Sequence, residues 1–439
     1  MLKIFRKHIN TNLEFLKETP LLIAVSGGID SVVLSHLCEE LKLDFALAHC
    51  NFNLRGEESN DDEEFVLELA EALDVEVFIQ NFDTQAYADE HKRSIQMAAR
   101  ELRYNWFKEL AGQLHFDYIL TAHHAEDNLE TFLINFTRGT GLNGLTGISE
   151  VNDNIVRPLL QFSREQIEVY AKENNIKWRE DSSNSSRKYL RNKLRHEVVP
   201  ILKEINPQLL NSFQNTLDNL NDTADIVEES LNAVAKRSIT EIDGNGVTYK
   251  VSEFKKVNNP KAYLFEMFKD FGFTEWNDVV ALLDAESGKQ VFSSTHRLIK
   301  HRDYLILTDL YHSEQREESH LIKDNDTKLE TPLGILLFDE ADAIVNSSKS
   351  MIFVDRDKLS FPLELRLWKA GDFFFPSGMK GKKKISKYLK DEKLSLVEKE
   401  NIWVLTSEDN VIWVVGKRAD GRFKATDATE QILKIEFQK

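Results

Sequence analysis

The sequence predicts an α/β protein whose first domain is a doubly wound parallel sheet, followed by a mostly helical domain and a small α+β carboxyl-terminal domain. In the first part of the chain, short apolar runs alternate with segments of helical period, which is the pattern of βαβ units. After Pro207 the pattern changes to long polar helices and later to short apolar runs. A length of 439 residues is enough for about three such domains.

The elements of the first domain follow one another in βα order. The predicted strands cover residues 21–25, 45–49, 75–79 and 118–122, and the predicted helices cover residues 32–41, 65–73 and 95–110. In a parallel sheet of this kind, ligands bind at the carboxyl ends of the strands. The functional residues are therefore expected in the segments that follow these strands.

The rest of the chain is predicted from weaker patterns. Helices are expected at residues 209–238, 262–271 and 277–285, a β-rich stretch at 291–307, a charged linker at 314–328, and strands at 336–338, 363–368, 402–405 and 411–415. We place the domain boundaries at residues 1–205, 206–315 and 328–439.

Composition excludes several classes of protein. No apolar run approaches the roughly 18 residues that cross a bilayer, and the amino terminus has no secretory signal, which predicts a cytoplasmic protein without membrane association. The two cysteines, Cys38 and Cys50, form no CxxC pair, which disfavours zinc and iron–sulfur sites and predicts packing roles for both. A net charge of −17 argues against indiscriminate nucleic-acid binding, although a local basic surface can overcome it.

The most specific motif directly follows the first strand. Its residues are Ser26, Gly27, Gly28, Ile29, Asp30 and Ser31. Glycines allow the backbone to approach a ligand, and the amides of a turn that opens a helix attract phosphate. The serines add hydroxyl donors, and the aspartate can hold Mg²⁺. A tight turn with a serine cap is the alternative, but it needs neither the second serine nor the aspartate. The motif predicts a pyrophosphate site.

A second cluster follows the strand at 118–122 and opens a helix. His123, Asp127 and Glu130 are spaced at i, i+4 and i+7, which predicts that they share one helix face. Two carboxylates on one face would suit a cationic substrate. The alternative is a solvated acidic helix start, which helix dipoles favour.

Basic residues form two further candidate contacts. Arg100 and Arg103 lie one helical turn apart and could neutralise a nucleotide or an RNA phosphate. The stretch from residue 187 to 195, with Arg191 and Arg195, is a candidate RNA contact. The alternative for Arg100 and Arg103 is that they are ordinary surface arginines. The alternative for the stretch from residue 187 to 195 is a solvated helix face.

The first motif, SGGIDS, resembles that of the N-type ATP pyrophosphatases, and the remaining motifs resemble their lysidine synthase branch. The matching segments are HHAEDNLET at 123–131, AARELRY at 98–104, NFNLRGEES at 51–59, RGTGLNGL at 138–145, RPLL at 157–160, DSSN at 181–184, RNKLR at 191–195 and GDFFFPSGMKGKKKIS at 371–386. The chain departs from the family pattern at three positions. Phe52 and Asn53 replace the usual His and Gly, and Phe373 replaces the usual Arg.

This resemblance implies an enzyme that uses ATP and Mg²⁺ to join L-lysine to an isoleucine tRNA with a CAU anticodon, and it is compatible with a homodimer. It implies that Asp127 and Glu130 hold the lysine and that Asp30, Arg100, His123 and Asp127 are catalytic. RNA or lysine contacts are expected from Arg103, Arg191, Arg195, Lys382 and Lys383. Two alternatives stay open at this point, namely a tRNA thiolase with the same ATP loop and a nucleotide-regulated RNA-binding protein without chemistry.

Overall fold

The computed structural model describes residues 1–180, 190–244, 246–310, 319–331, 334–345, 348–379 and 381–438. The chain divides into two compact units, Met1–Val227 and Glu228–Lys439. The three predicted domain boundaries are not marked by this division and stay predictions. The predicted DSSN segment and the first part of the predicted linker lie outside the described residues.

The first unit is built on a six-stranded sheet with the order β3-β2-β1-β4-β6-β5. Its strands are β1 (Leu21–Ala24), β2 (Phe45–Asn51), β3 (Val77–Asn81), β4 (Tyr118–Leu120), β5 (Val151–Asn152) and β6 (Ile155–Val156). All neighbours are parallel except β5 and β6, which form a hairpin at the edge. The predicted parallel sheet is confirmed.

Helices connect these strands and cover the sheet. They are α1 (Leu2–Asn12), α2 (Ile29–Glu40), α3 (Glu57–Leu73), α4 (Thr84–Glu90), α5 (Ile95–Leu114), α6 (Ala125–Arg138), α7 (Leu142–Leu145), α8 (Arg164–Glu173), α9 (Leu190–Lys193) and α10 (Val199–Ile205). A π-helical segment, Leu194–Val198, joins α9 to α10. The long helix α11 (Leu209–Ser238) follows.

Alternate residues of the same strands enter two different hydrophobic cores. Leu21 and Ile23 pack in the core that contains α1, α2 and α8, whereas Leu22 packs with Phe107 and Leu110 of α5. Successive strand side chains point to opposite faces of a sheet. Both faces are therefore covered by helices, which makes the sheet doubly wound.

The strand order reverses beside β1. The chain runs from β1 to β2 on one side, whereas β4 pairs with β1 on the other, with Ile23 opposite Leu120. In open α/β sheets this reversal leaves a crevice at the carboxyl ends of the two strands. The segments that follow β1 and β4 therefore meet at the same edge.

The second unit begins with a five-stranded antiparallel sheet of order β7-β8-β11-β10-β9. Its elements are β7 (Ile239–Asp243), β8 (Gly246–Lys250), α12 (Val251–Lys255), α13 (Pro260–Phe268), α14 (Trp276–Ala281), β9 (Gln290–Phe292), β10 (His296–His301) and β11 (Tyr304–Asp309). Phe254, Leu264 and Phe268 of the helices pack against Leu298 and Leu305 of the sheet.

The carboxyl-terminal part contains two further sheets, of order β12-β16-β19-β20-β21 and β13-β14-β22-β15, that share one core. The strands are β12 (His320–Ile322), β13 (Lys328–Thr331), β14 (Gly334–Ala341), β15 (Met351–Asp355), β16 (Leu363–Leu367), β17 (Phe373–Phe374), β18 (Lys383–Lys384), β19 (Trp403–Ser407), β20 (Asn410–Val414), β21 (Arg418–Ala419) and β22 (Ile432–Gln438), and the helices are α15 (Ile385–Asp391) and α16 (Leu396–Glu400). β17 and β18 form a separate hairpin beside α15.

The second unit contains strands that the sequence prediction missed. Residues 239–243 and 246–250 form strands β7 and β8, which lengthen the β-rich part of the middle region. Part of the predicted linker is strand β12, whose Ile322 is buried in the carboxyl-terminal core. These three strands were missed because they are short, and β8 and β12 pair with the distant strands β11 and β16.

Candidate active site

The loop after β1 has the geometry expected of a phosphate site. Gly27 has a φ of +83°, a left-handed conformation that glycine adopts without strain. Gly28 is the amino-terminal cap of α2 and accepts a hydrogen bond from Ser31 Oγ at 2.9 Å. Ser31 Oγ also accepts from the Ser26 amide at 3.2 Å. The two serines therefore hold the loop so that it opens directly onto the positive end of a helix.

Asp30 lies in the first turn of α2 with its two carboxylate oxygens in different environments. Oδ2 accepts a hydrogen bond from Arg164 Nη1 at 2.5 Å, whereas Oδ1 is buried without a partner within the described residues. Burial raises the pKa of Asp30, although the charges of His124 and Arg164 oppose that effect. An unpartnered buried carboxylate oxygen next to a phosphate loop is a suitable ligand for a cation.

The segment after β4 places two histidines before the helix and not within it. Helix α6 begins at Ala125 with His124 as its cap, so the predicted placement of His123 on a helix face is wrong. The ring Nδ1 of His123 lies 3.0 Å from Thr121 Oγ1. Burial lowers the pKa of His123 to about 4, which keeps its imidazole neutral at neutral pH.

Asp127 and Glu130 do lie together on α6, where two arginines neutralise them. Arg195 Nε contacts Glu130 Oε1 at 2.6 Å, and its Nη2 contacts Glu130 Oε2 at 3.0 Å and Asp127 Oδ1 at 2.9 Å. Arg191 Nε lies 3.3 Å from Glu130 Oε2, an ion-pair distance without the alignment of a hydrogen bond. The acidic pair is thus neither solvated nor free, and the basic segment at 191–195 belongs to the same site.

The two carboxylates differ in burial and in protonation. Glu130 has no exposed surface, and burial raises its pKa despite the Arg195 contacts. Burial alone would raise the pKa of Asp127, but the positive charges of His124 and Arg195 have a larger combined effect and lower it. Asp127 is therefore the more firmly ionised member of the pair.

A buried network around Glu126 was not predicted from the sequence. Glu126 Oε2 accepts hydrogen bonds from the Arg164 amide at 2.9 Å and lies 3.1 Å from His124 Nδ1, while Oε1 accepts from Lys203 Nζ at 2.8 Å. His124 Nε2 lies 3.3 Å from Asp127 Oδ2. Glu126 thereby joins the start of α6 to α8 and α10 around the acidic pair. No local pattern could reveal this, because two of its partners are 38 and 77 residues away.

Replacing Glu126 by Gln is expected to destabilise the first unit by about 2–3 kcal/mol at pH 7. Breaking a fully buried ion pair costs roughly 3–5 kcal/mol, and Lys203 is partly exposed. Burial opposes ionisation of Glu126, but His124 and Lys203 hold its pKa at about 2, below its ordinary 4.5. Its stabilising effect is therefore present above pH 4.5 and lost as the pH falls toward 2.

The measurement is the free energy of unfolding of both proteins between pH 7 and pH 3. Glu14→Gln, at a largely exposed glutamate, serves as the control. A difference between the native chain and Glu126→Gln that stays constant down to pH 3 contradicts this assignment.

The predicted arginines of α5 have aromatic neighbours. The Arg100 guanidinium lies 4.9 Å from the centre of the Tyr104 ring, and that of Arg103 lies 5.2 Å from the Phe52 ring. Both arginines are exposed, and the charge of Arg100 is among those that lower the pKa of His123. Asn53 has a φ of +52°, a left-handed conformation that asparagine tolerates better than other non-glycine residues.

Comparison with known proteins identifies three consecutive segments of the chain. Residues 1–202 match a family described as "PP-loop domain", residues 241–310 a "TilS substrate binding domain", and residues 363–436 a "TilS substrate C-terminal domain". The tRNA(Ile)-lysidine synthase of Parabacteroides distasonis is 40% identical over 100% of both chains. That of Bacteroides thetaiotaomicron is 38% identical over 97% of each chain. The chain belongs to the tRNA(Ile)-lysidine synthase family.

Membership in the lysidine synthase family confirms the predicted fold class and the predicted enzyme class, an ATP-dependent ligase that modifies tRNA. A solved U34-tRNA thiolase from Methanococcus maripaludis is 16% identical, with a TM-score of 0.43 over 50% of this chain and 78% of that chain, and this likeness carries no argument about function. Burial raises the pKa of Cys50 to about 12 and also raises that of Cys38, so both thiols stay protonated. The family assignment decides against the thiolase alternative.

The carboxyl-terminal motif of the lysidine synthases forms the hairpin β17–β18 and the start of α15. Lys382 and Lys383 line a groove with a volume of about 550 Å³, together with Phe373. Lys382 is exposed, whereas Lys383 Nζ lies 2.8 Å from Asp391 Oδ2. Both lysines belong to the second unit.

Two negative findings apply to the part of the chain that the structure describes. No three His, Cys, Asp or Glu side chains there form a group that could hold a metal ion. No helix there has the length and apolar character that crossing a bilayer requires. The first finding is compatible with a magnesium site, because Mg²⁺ usually takes one or two carboxylates and completes its shell with water and substrate phosphates.

Proposed function

We propose that this chain ligates L-lysine to carbon 2 of the wobble cytidine in the CAU anticodon of an isoleucine tRNA, by way of an adenylated cytidine. The observation that carries the proposal is the carboxylate pair of half-buried Asp127 and fully buried Glu130, which follows the strand adjacent to the phosphate loop. A phosphate site and an acidic site at one sheet edge suit a reaction that joins ATP and a cationic amine to a third substrate. The product lysidine would change codon reading from AUG to AUA and tRNA identity from Met to Ile.

In the first step the oxygen on carbon 2 of the cytidine attacks the α-phosphorus of ATP, and the bond to the β-phosphate breaks to release pyrophosphate. The loop from Ser26 to Ser31 would bind the phosphates through its amides and hydroxyls. Mg²⁺, when bound, would be held by Asp30 and would neutralise phosphate charge. Arg100 would add a further positive charge, and the neutral imidazole of His123 can exchange hydrogen bonds with the triphosphate or the base.

In the second step the ε-amine of lysine attacks carbon 2, and AMP leaves with the oxygen that carried it. A free lysine amine has a pKa near 10.4, so roughly one molecule in a few thousand is neutral at pH 7. The site must therefore remove a proton from the ammonium. Asp127, the ionised carboxylate of the pair, would hold that ammonium and ease its deprotonation, and Glu130 would anchor the substrate.

The arginine contacts add a requirement to this step. Both oxygens of Glu130 and one oxygen of Asp127 accept hydrogen bonds from Arg195. Lysine binding at these carboxylates therefore requires Arg195 to give up or share at least one contact. Arg195 lies in the π-helical segment, and such segments are frequent at functional sites.

The RNA must present an unstacked base to this site. Proteins read RNA sequence mainly in loops and ends, which suits an anticodon cytidine. We propose that Arg103, Arg191, Lys382 and Lys383 contribute RNA contacts and that the reaction takes place in the cytoplasm. A homodimer is also part of this proposal.

The testing experiment follows radiolabelled lysine and ATP with the native chain. Label is expected in an isoleucine tRNA with a CAU anticodon, and not in a methionine tRNA with the same anticodon. ATP should yield AMP and pyrophosphate in step with label only when Mg²⁺, tRNA and lysine are all present. Omitting each component in turn supplies the controls.

The alternative function, in which the chain binds RNA but catalyses no reaction, predicts the opposite result. A nucleotide-regulated RNA-binding protein would bind ATP and tRNA, release no pyrophosphate and transfer no lysine. That result would overturn the proposed function.

A further inference from the structure

The groove beside the hairpin β17–β18 combines an exposed aromatic ring with a cluster of cations. Its lining includes Phe373, Met379, Lys382, Lys384 and Lys387. Within the described residues, no ion pair joins Lys382, Lys384 or Lys387 to a carboxylate, and all three are exposed. In a chain of net charge −17, such a cluster is a local site for an anion.

The two phenylalanines of β17 differ in exposure. Phe374 is fully buried in the core formed with Tyr388 and Leu389, whereas Phe373 is 40% exposed on the opposite face. The Phe373 ring packs edge-on against Phe375, with 6.2 Å between ring centres. Lys382 Nζ lies 5.2 Å from the centre of the Phe373 ring. A half-exposed ring next to a lysine ammonium provides a surface on which a planar group can stack.

We propose that Phe373 and Lys382 hold one unpaired nucleotide of the tRNA, with its base stacked on the Phe373 ring and its phosphate beside Lys382, Lys384 and Lys387. The proposal rests on the proposed function only in taking tRNA as the ligand. Base–aromatic stacking tolerates any base, and it suits proteins that combine aromatic rings with a positive groove. The unpaired nucleotide can come from the 3′ end of the tRNA or from one of its loops.

A double helix fits this groove less well. The bases of an A-form duplex are stacked on one another, so a duplex would engage the lysines and leave the ring without a partner. Phe373 replaces the arginine of the family pattern, and its ring can stack on a base but has no charge for a phosphate. The substitution therefore shifts this position from charge recognition toward stacking.

The experiment measures equilibrium binding of the full-length chain to an isoleucine tRNA transcript. Phe373→Leu is expected to weaken binding about tenfold or more, the effect of removing one stacked aromatic, whereas Phe373→Tyr should bind like the native chain. Leu321→Ala is the control, because Leu321 is 64% exposed in the second unit but lies outside the groove and outside the segments that match substrate domains. Lys382→Gln should reduce the dependence of binding on salt concentration by about one phosphate contact.

Two further RNAs test where the nucleotide stacked on Phe373 comes from and whether it must be single-stranded. A transcript without its unpaired 3′-terminal nucleotides should bind the native chain and Phe373→Leu equally if the stacked base comes from the 3′ end. If the difference persists with that transcript, the base comes from a loop. A short single-stranded oligonucleotide should compete for the groove better than a duplex of the same length.

Several results would overturn the proposal. These are equal binding by the native chain and Phe373→Leu, a loss with Phe373→Tyr as large as with Phe373→Leu, and competition by duplex equal to that by single strand. Lysine incorporation by the native chain is measured in parallel. Phe373-dependent RNA binding without lysine incorporation would leave this inference standing and remove the proposed function.

Discussion

Asp127→Asn is expected to slow lysine transfer to adenylated tRNA by about 10²–10⁴-fold, the usual contribution of a general acid or base, while adenylation proceeds nearly as in the native chain. Asparagine preserves the shape of the side chain but cannot take a proton from an ammonium. In the native chain, His124 and Arg195 outweigh burial and keep Asp127 ionised. In the proposed mechanism the first step does not use this carboxylate, because the attacking group is the cytidine oxygen.

The two steps are separated in single-turnover reactions. ATP labelled at the α-phosphate reports adenylated tRNA, which should accumulate in Asp127→Asn, and labelled lysine reports the second step. Asp153→Asn, at a largely exposed aspartate in the hairpin between β5 and β6, is the matched control. Equal loss of both steps would show that Asp127 supports the whole site and has no separate role in lysine transfer.

Asp30→Asn is expected to impair the first step and not the second. Adenylation should fall by roughly 10²–10³-fold or more, whereas lysine transfer to pre-adenylated tRNA should be retained. Losses of this size follow when one electrostatic contact to the developing charge is removed. Asp30 supplies a carboxylate oxygen that is buried and has no protein partner within the described residues. The amide of asparagine is a much poorer ligand for Mg²⁺ than a carboxylate.

Nucleotide binding gives a second measurement of the Asp30 site that does not depend on turnover. The native chain should bind ATP more tightly with Mg²⁺ than without it, and Asp30→Asn should lose most of that difference. Asp153→Asn again serves as the control. If Asp30→Asn retains both the magnesium effect and adenylation, Asp30 acts only as the partner of Arg164.

The first domain could be predicted closely because its signals are local. Buried parallel strands are continuous apolar runs, so the positions of β1, β2 and β4 follow from the chain itself. The short strands β5, β7 and β12 were not predicted, since each consists of few residues; β5 and β7 lie in local hairpins, and β12 pairs with the distant strand β16. Short, half-exposed strands have little pattern of their own.

The candidate site was likewise predicted only in part. The phosphate loop and the acidic pair were predicted because each is a cluster of contiguous residues at a strand end. The sequence also singled out Arg191 and Arg195, but as candidate RNA contacts, whereas the structure places both against Glu130. Sequence spacing could not indicate this, because 65 residues separate Arg195 from Glu130.

The sequence by itself determined the doubly wound sheet, the loop from Ser26 to Ser31 and the family to which the chain belongs, because these depend on contiguous residues. Only the tertiary structure decided which charges meet. It paired Asp30 with Arg164, joined Glu126 to Lys203, and placed Arg195 between Asp127 and Glu130. The physical reason is that protonation and ion pairing depend on burial and on distance in space, which the folding of remote segments sets.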